Sequence, residues 1–522
     1  MLLPPDIRDI IPTDHVCYVI SDVVEGLNLS SVEKSYANDA GGSSAYSPLA
    51  IIKILFYGYS HGIRSSRLLE KKCSEDLIFR YLSGNQSFDH STISLFRKIH
   101  LLDLEQLFAQ IVVLCAKMDM VNFSDISIDG SVFKASASKK NTFNQEEIAK
   151  WQKKMKDILQ EAEEVDKEED KKYGKGNRGY DQLPARLADP KTRKKEIQRL
   201  MEKMKKLKQA KETIKEKQKK VKNETALIKK GSNHNNHNII DPDANLMKLK
   251  NTKAVKPSYN GQIATSNQII AAYDITKEAI DEPSLFTMIE KTQNNTKKQV
   301  KTIKADCGYW SKENMRQLET VNATREANRE IPIDAYIPDR RKSYEEKGKR
   351  DNTLPKNHRL YFTYNKTTNE FTDKEGYIYK LKITNRNKQG KIISQRYFKE
   401  TNKKDTAKDN PKDKSIKKKR TLAKQICVDW ELEGYKTKMR SKLNTKEGKA
   451  KYIERMYDVE PVFGNIKHNQ KMTEFLCRGK TMVKIEFGLI AIAHNFTKLA
   501  NWIKDDNNRK QFDNLMKSRA ST

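Results

Sequence analysis

Two periodicities run along this chain, and the places where one gives way to the other mark its segments. Between residues 46 and 120 apolar positions recur at helical spacing through YSPLAIIKILFYGYSHG, SSRLLEKKCSEDLIFRYLSG and DHSTISLFRKIHLLDLEQLFAQIVVLCAKMDMV. Each stretch can bury one face as a helix, and Pro48, Ser65 with Ser66, and Asp89 stand where a helix opens or is capped. A helical domain over 1–120 is therefore expected. Near residue 125 the period drops to two: in SDISIDGS, Asp125, Ser127 and Asp129 share one face of a strand and Ile126 and Ile128 the other. Asp129, before Gly130, is expected at the strand's end and Asp125 at its beginning.

Helical spacing returns between about 145 and 232. Trp151, Met155, Ile158, Ala162 and Val165 form one seam, and Leu200, Leu207, Ile214, Val221 and Ile228 recur every seven residues in another. YGKGNRGYDQLPARLADP separates them, so an antiparallel helical hairpin is expected, weakened by polar Lys211, Gln218 and Thr225 at alternate seam positions. SYNGQIATSNQIIAAYDIT then reads as two strands joined by a short turn, PSLFTMIEKTQNN as a helix, VKTIKAD as a strand ending at Asp306, SKENMRQLETVN as a helix and AYIP as a short strand. Strand, hairpin, helix, strand is the α/β order of a ribonuclease H-like core. Residues 341–448 are basic and poor in apolar side chains, with a β-like patch (HRLYFTYNKTTNEFTDKEGYIYKLKI) and a lysine-rich run (TNKKDTAKDNPKDKSIKKKR) expected as a flexible loop. MVKIEFGLIAIAHNFTKLANWI is too long for a strand and suits a helix packed on the sheet.

Charge adds a partner. Across 522 residues, 101 Lys and Arg against 69 Asp and Glu leave a formal +32, and neutralising phosphates is the direct use of such an excess. Residues 191–230 hold 17 Lys and Arg against 5 Glu, a net of +12; DNA contact and a solvated helix face explain that run equally. SFDHSTISLFRK resembles the turn and second helix of a helix-turn-helix, which would set Arg97 and Lys98 near phosphates, and a packing helix with a basic outer face is the equal alternative. Cys17, Cys73, Cys115, Cys307, Cys427 and Cys477 form no CxxC pair, which argues for a reducing cytosol. MLLPPDIRDIIPTDH lacks a basic start and a long apolar run, and no segment offers 18 uninterrupted apolar residues, so secretion and membrane spanning are disfavoured.

Asp129, Asp306 and Glu460, the last in VEPVFGNIKHNQ two helical turns before Lys467, are carboxylates able to hold a pair of Mg²⁺ ions, or Mn²⁺, for in-line displacement at a phosphodiester. Each Asp-Gly or Asp-Cys-Gly alone is a commoner sight as a plain turn. His234 and His237 in GSNHNNHN have metal-ligand spacing but no third ligand nearby, and Asp241 and Asp243 in DPDANLMK read most simply as a turn with a helix-capping Asp.

The motifs in combination are more specific. The N-terminal helical block, DGSVFKASASK, DPDANLMK with KPSYNGQIA, ITKEAID, ADCGYWSKEN, and VEPVFGNIKHN followed by FLCRGK and LIAIAHNFTKL resemble the DDE transposases of bacterial insertion sequences, over most of the chain. The resemblance implies that Asp129, Asp306 and Glu460 match the family's metal-binding carboxylates. It also implies that Tyr452, Arg455 and Lys467 match a Tyr, Arg and Lys set around the glutamate, as DNA contacts. Glu460 to Lys467 keeps the family gap, while Arg455 stands one residue further from Glu460 than the common pattern. Many relatives hold cysteine pairs before the glutamate; this chain has none there, and no zinc is expected.

The expectation is thus an α/β protein with a ribonuclease H-like mixed sheet core. Residues 1–120 form a DNA-binding or dimerising helical domain, 121–144 and 250–340 the core, 145–249 the inserted charged hairpin, 341–448 a basic, partly β insertion, and 449–522 the C-terminal helices carrying Glu460. Expected partners are DNA, as element ends and target, and further copies of the chain in a homodimer or higher oligomer, in the cytoplasm. Cleavage without joining, and a catalytically inactive DNA-binding descendant, are the rival readings.

Overall fold

The computed structural model describes residues 6–36, 46–173, 190–223, 236–249, 252, 254–340, 342, 362–373, 376–387, 389–400 and 425–520. They divide into two compact units, one of residues 1–300 with 456–522 and one of residues 301–455.

In the first unit the N-terminal helices appear where spacing and caps expect them. Ser47 caps Pro48–Ser60 with Pro48 in the first turn, and Asp89 caps His90–Ile99, followed by Leu101–Lys117. They do not form a core of their own. Ile51, Leu55, Phe56, Phe108 and Ile111 join Tyr273, Phe487, Ile490 and Phe496 in one continuous apolar interior. The reason is the Lys480–Trp502 helix, buried on nearly every side from Val483 to Phe496, which needs apolar neighbours all around it. Among the described residues no single helix is long and apolar enough to cross a membrane.

The sheet of this unit is built on β5 (Val255–Ser266). β1 (Asp125–Lys134) runs antiparallel to it on one side, and β4 (Asn245–Lys248) and β6 (Ile269–Thr276) are antiparallel partners of β5 as well. β4 falls inside the span expected for the hairpin, so the sheet claims its last residues. The turn joining β5 to β6 places Asn267 and Gln268 both at positive φ, 47° and 63°, the backbone of a tight two-residue hairpin turn. His494 of the core helix lies against the Gln268 carbonyl, Nε2 to O 2.8 Å, while the Asn495 side chain accepts from Ile270 N and donates to Ile270 O, both 2.9 Å. That helix is thereby stitched to the hairpin it covers.

The helical arm leaves the sheet through a small gate: β2 (Thr142–Phe143) pairs with β3 (His237–Asn238), and between them run Gln145–Tyr173 and Pro190–Asn223. Phe143, Ile148, Met155, Leu207, Ala210 and Ile214 are buried together. Trp151, expected in the seam, is 37% exposed, with Lys203 4.3 Å above its ring. Ile158, Ala162, Val165, Val221 and Ile228 lie outside the side chains described. His237 is buried within β3, not in a loop, and His234 lies outside the described residues.

In the second unit β7 (Thr302–Ala305), the Lys312–Ala327 helix and β8 (Asp334–Tyr336) form a parallel β-α-β step. β9 (Phe362–Asn365), β10 (Glu370–Asp373), β11 (Ile378–Arg386), β12 (Ile392–Lys399) and β13 (Gln425–Val428) follow as an antiparallel sheet in sequence order over Phe371, Tyr379, Tyr397, Ile426 and Val428. The insertion is therefore more ordered than its composition implies; the lysine-rich run lies outside the described residues. A bidentate Arg316–Glu431 pair, both contacts 2.6 Å, ties the Trp430–Asn444 helix to Lys312–Ala327.

Candidate functional site

Asp129 does not end its strand. β1 continues through Gly130 to Lys134, and Asp129 sits half-buried at its middle, opposite Ile263. Gly130 permits this without breaking the strand because its far face is already filled: a Cβ there would stand 2.3 Å from Gln262 Nε2 and 2.5 Å from Asp281 Oδ1. Asp281, from the ITKEAID segment, accepts from Asn260 Nδ2 at 2.6 Å and Gln262 Nε2 at 2.7 Å, a polar brace beneath the strand. Nothing in local spacing marked Asp281; only the motif did.

On the Asp129 face the chain brings in its C-terminal part. Ser127 Oγ donates to Asp458 Oδ2 at 2.8 Å, and Lys467 Nζ donates to Ser131 Oγ at 2.5 Å. The two contacts bracket Asp129 one strand repeat to either side, with Glu460 between their helical partners. Below them Phe133 packs against Phe463, Phe475 and Phe487, and the Lys467 ammonium lies 5.1 Å from the Phe133 ring centre. Glu460 itself is exposed, on the helix Lys446–Gly464. Two irregularities follow it. Pro461 cannot donate to the carbonyl of Tyr457, and Asn465–Asn469 is a π-helical turn. Asn465 is held there by His494, Nδ2 to Nδ1 2.9 Å.

In the second unit Asp306 follows β7 directly, as expected, and its Oδ1 accepts from Gly308 N at 2.7 Å. Tyr452 and Arg455 are its company. Burial pushes the Tyr452 phenol up, Arg455 opposes that shift, and the Asp306 charge adds to it; the Arg455 guanidinium lies 5.7 Å from the Tyr452 ring centre. Asp129, Glu460 and Lys467 thus belong to the first unit and Asp306, Tyr452 and Arg455 to the second, while one continuous helix carries Tyr452, Arg455 and Glu460.

Arg97 is a correction. It is buried and donates to Tyr59 Oη at 2.9 Å, to the Arg64 carbonyl at 3.1 Å and to Ser66 Oγ. Its donors face inward because the helix turns that face to the interior, so it is a structural cation; Lys98 beside it is exposed. Arg64 is buried to the same extent, with Nη1 on Glu486 Oε1 at 2.6 Å and on the Glu474 carbonyl at 2.9 Å, while Glu486 accepts from Leu476 N and Cys477 N. This pair, which spacing did not reveal, organises the loop after the Lys467 turn. Asp241 and Asp243 do cap a helix, though a distant one: Asp241 accepts from Tyr259 Oη at 2.7 Å and Gly479 N at 3.2 Å, and Asp243 from Lys480 N at 2.9 Å, at the start of the core helix. Glu70, Asp89 and His90 also cluster, but Asp89 is occupied as a cap and Glu70 by the His90 ring, so capping accounts for the group.

Residues 5–99 match the family model of a transposase domain, and residues 374–500 match the transposase DDE domain, a span that contains Tyr452, Arg455, Glu460 and Lys467. No curated protein and no solved structure matches the chain.

Proposed function

Since this chain belongs to the DDE transposases of insertion sequences, we propose that it binds the ends of its element and cuts and rejoins DNA by phosphoryl transfer, with Asp129, Asp306 and Glu460 as its metal-binding carboxylates. The observation that carries this reading is the pair of bonds, Ser127–Asp458 and Lys467–Ser131, that holds the Glu460 helix along β1 on either side of Asp129. The antiparallel β6-β5-β1 order and the parallel β7-helix-β8 step support reading the core as ribonuclease H-like.

The donors fit a hard divalent cation. All three are carboxylate oxygens, two of them in or directly after a strand, and Mg²⁺ and Mn²⁺ take oxygen ligands from such rigid supports. When bound, the metal supplies the charge that in-line displacement at phosphorus needs. The chain's own part is positional: Lys467, fixed by Ser131, presents a cation beside Asp129 to a substrate phosphate, and the Asp281 brace keeps β1 straight beneath it. Assembly as a homodimer or higher oligomer on DNA is part of the same proposal, supported by Leu95, Ile99 and Leu102, which are 54%, 58% and 69% exposed around one helix junction.

The test is Mg²⁺-dependent cleavage of the flanking element end and joining of a labelled end to plasmid. Asp129→Asn, Asp306→Asn and Glu460→Gln should each abolish both while end binding persists, and Asp125→Asn should keep activity. Near wild-type cleavage by any of the three removes that residue from the set, and cleavage without joining in the wild-type protein makes the chain a nuclease.

A further inference from the structure

β1 does not stop at the candidate carboxylate. Five residues beyond Asp129, about 17 Å at strand rise, it ends at Lys134 and opens into a cleft of about 750 Å³. Lys134, the small-residue loop Ala135–Ser138, Lys139, Lys140, Lys256 and Arg478 line it, with Glu474 as the one acidic residue among the described lining. The floor is built, not accidental. The Ala135 amide donates to the Pro257 carbonyl at 2.9 Å, the Phe475 amide to the Lys134 carbonyl at 2.8 Å, and Arg478 Nε to the Ser136 carbonyl at 2.8 Å. Lys134 pairs with Glu474, which consumes that carboxylate. Lys139, Lys140 and Lys256 have no acidic partner among the described residues, and Ser138 Oγ accepts the Lys140 amide, holding both lysines on one short turn.

We propose that this cleft grips the sugar–phosphate backbone of one DNA strand a few nucleotides from the bond that is cut. Four observations select that ligand. Three uncompensated ammonium groups line one concavity, where their mutual repulsion is relieved by a chain of phosphates. Alanines and serines in the loop let a backbone approach closely and offer hydroxyls to phosphate oxygens. Among the described residues the lining holds no aromatic side chain on which bases could stack, so the grip is independent of sequence. The volume is that of a small-ligand pocket, which admits the backbone of one strand of a duplex and not the duplex's full width. The inference rests on the transposase reading above and adds the place where the strand is held.

The experiment compares the full chain with Lys139→Ala/Lys140→Ala/Lys256→Ala, and with a control that removes equal charge elsewhere, Lys117→Ala/Lys504→Ala/Lys510→Ala. Binding to labelled duplexes of two unrelated sequences is measured across a salt series. The cleft variant should bind both duplexes more weakly by the same factor, and the slope of log affinity against log salt should shrink by about 2 to 3, near one per lost phosphate contact. The control should keep the wild-type slope. A Lys→Gln version of the cleft triple should reproduce the loss and exclude a folding defect. If the wild type binds and cleaves DNA while the cleft variant keeps affinity and slope, the cleft proposal falls and the transposase reading stands. Weakening that differs between the two sequences overturns the backbone grip in favour of base readout. Failure of the wild type to bind DNA at all overturns both.

Discussion

Basic side chains of the first unit meet opposite fates in two regions. Among the N-terminal helices and their connections, Lys53, Arg64 and Arg97 are each only 8% exposed. Lys53 is held by Ser21 and Glu25, Arg64 by Glu486, and Arg97 by Tyr59, Ser66 and a backbone carbonyl. At the end of β1, Lys139 and Lys140 stand in solvent on a two-lysine turn. A cation can leave water only where acceptors replace its hydration, and the helices supply those acceptors while the cleft does not. A formal charge of +32 therefore overstates what the surface offers to phosphate, and position within the fold decides which charges count.

The comparison is tested most severely at Arg64, whose partner Glu486 is only 1% exposed. Arg64→Met leaves the Glu486 carboxylate buried without its counter-ion and should cost about 3–5 kcal/mol in urea unfolding. Adding Glu486→Leu should recover part of that loss and not all, because the amides of Leu476 and Cys477 lose their acceptor as well. A single-variant cost below about 1 kcal/mol would show the pair to be dispensable, the range of a surface bridge.

Next in size is a buried base that stays neutral. Desolvation pushes the His494 imidazole down to about 4 from an ordinary 6.5, only partly opposed by its bond to the Gln268 carbonyl. The unfolded chain then takes up a proton as pH falls through 6.5 while the folded one waits until about 4. Stability should accordingly drop across that window, by about 3 kcal/mol when complete. His494→Gln should flatten this acid limb; an unchanged limb would assign it to other groups.

Arg97→Leu and Lys98→Ala, adjacent in sequence, separate the two fates directly. The first should lower stability by about 1.5–3 kcal/mol, the range for hydrogen bonds to a charged group, and leave DNA affinity of the folded protein unchanged. The second should alter stability by less than about 0.5 kcal/mol. Selective loss of DNA binding in Arg97→Leu, with its melting point intact, would return that side chain to the DNA-contacting set. The smallest effect belongs to Lys139→Ala and Lys140→Ala, each within about 0.5 kcal/mol by thermal unfolding, since neither has an acidic partner among the described residues.

Much of this architecture was legible from residue patterns. Helices opening at Pro48 and after Asp89, the β5–β6 hairpin, Asp306 behind β7 and the long apolar helix through Phe487 all follow from period, caps and turns that act within a few residues. What escaped is non-local. Gly130 reads as a breaker, yet β1 passes through it because Gln262 and Asp281, far along the chain, occupy the space beneath it where a side chain would stand. Asp243 looks like the cap of a nearby helix and instead caps one beginning 237 residues later. Trp151 fits its seam by spacing but finds Lys203 over its ring and partial exposure.

By itself the sequence determined where most helices and strands run and the excess of positive charge, because each is written in composition or in short-range spacing, while the family resemblance pointed to Asp129, Asp306 and Glu460. Tertiary structure alone decided that Asp458 and Lys467 bracket Asp129, that Arg64 and Arg97 are withdrawn from solvent, and that Lys139, Lys140 and Lys256 share a cleft. The reason is physical: whether a polar or charged side chain is buried, paired or offered to a ligand depends on acceptors hundreds of residues away, and local periodicity holds no record of them.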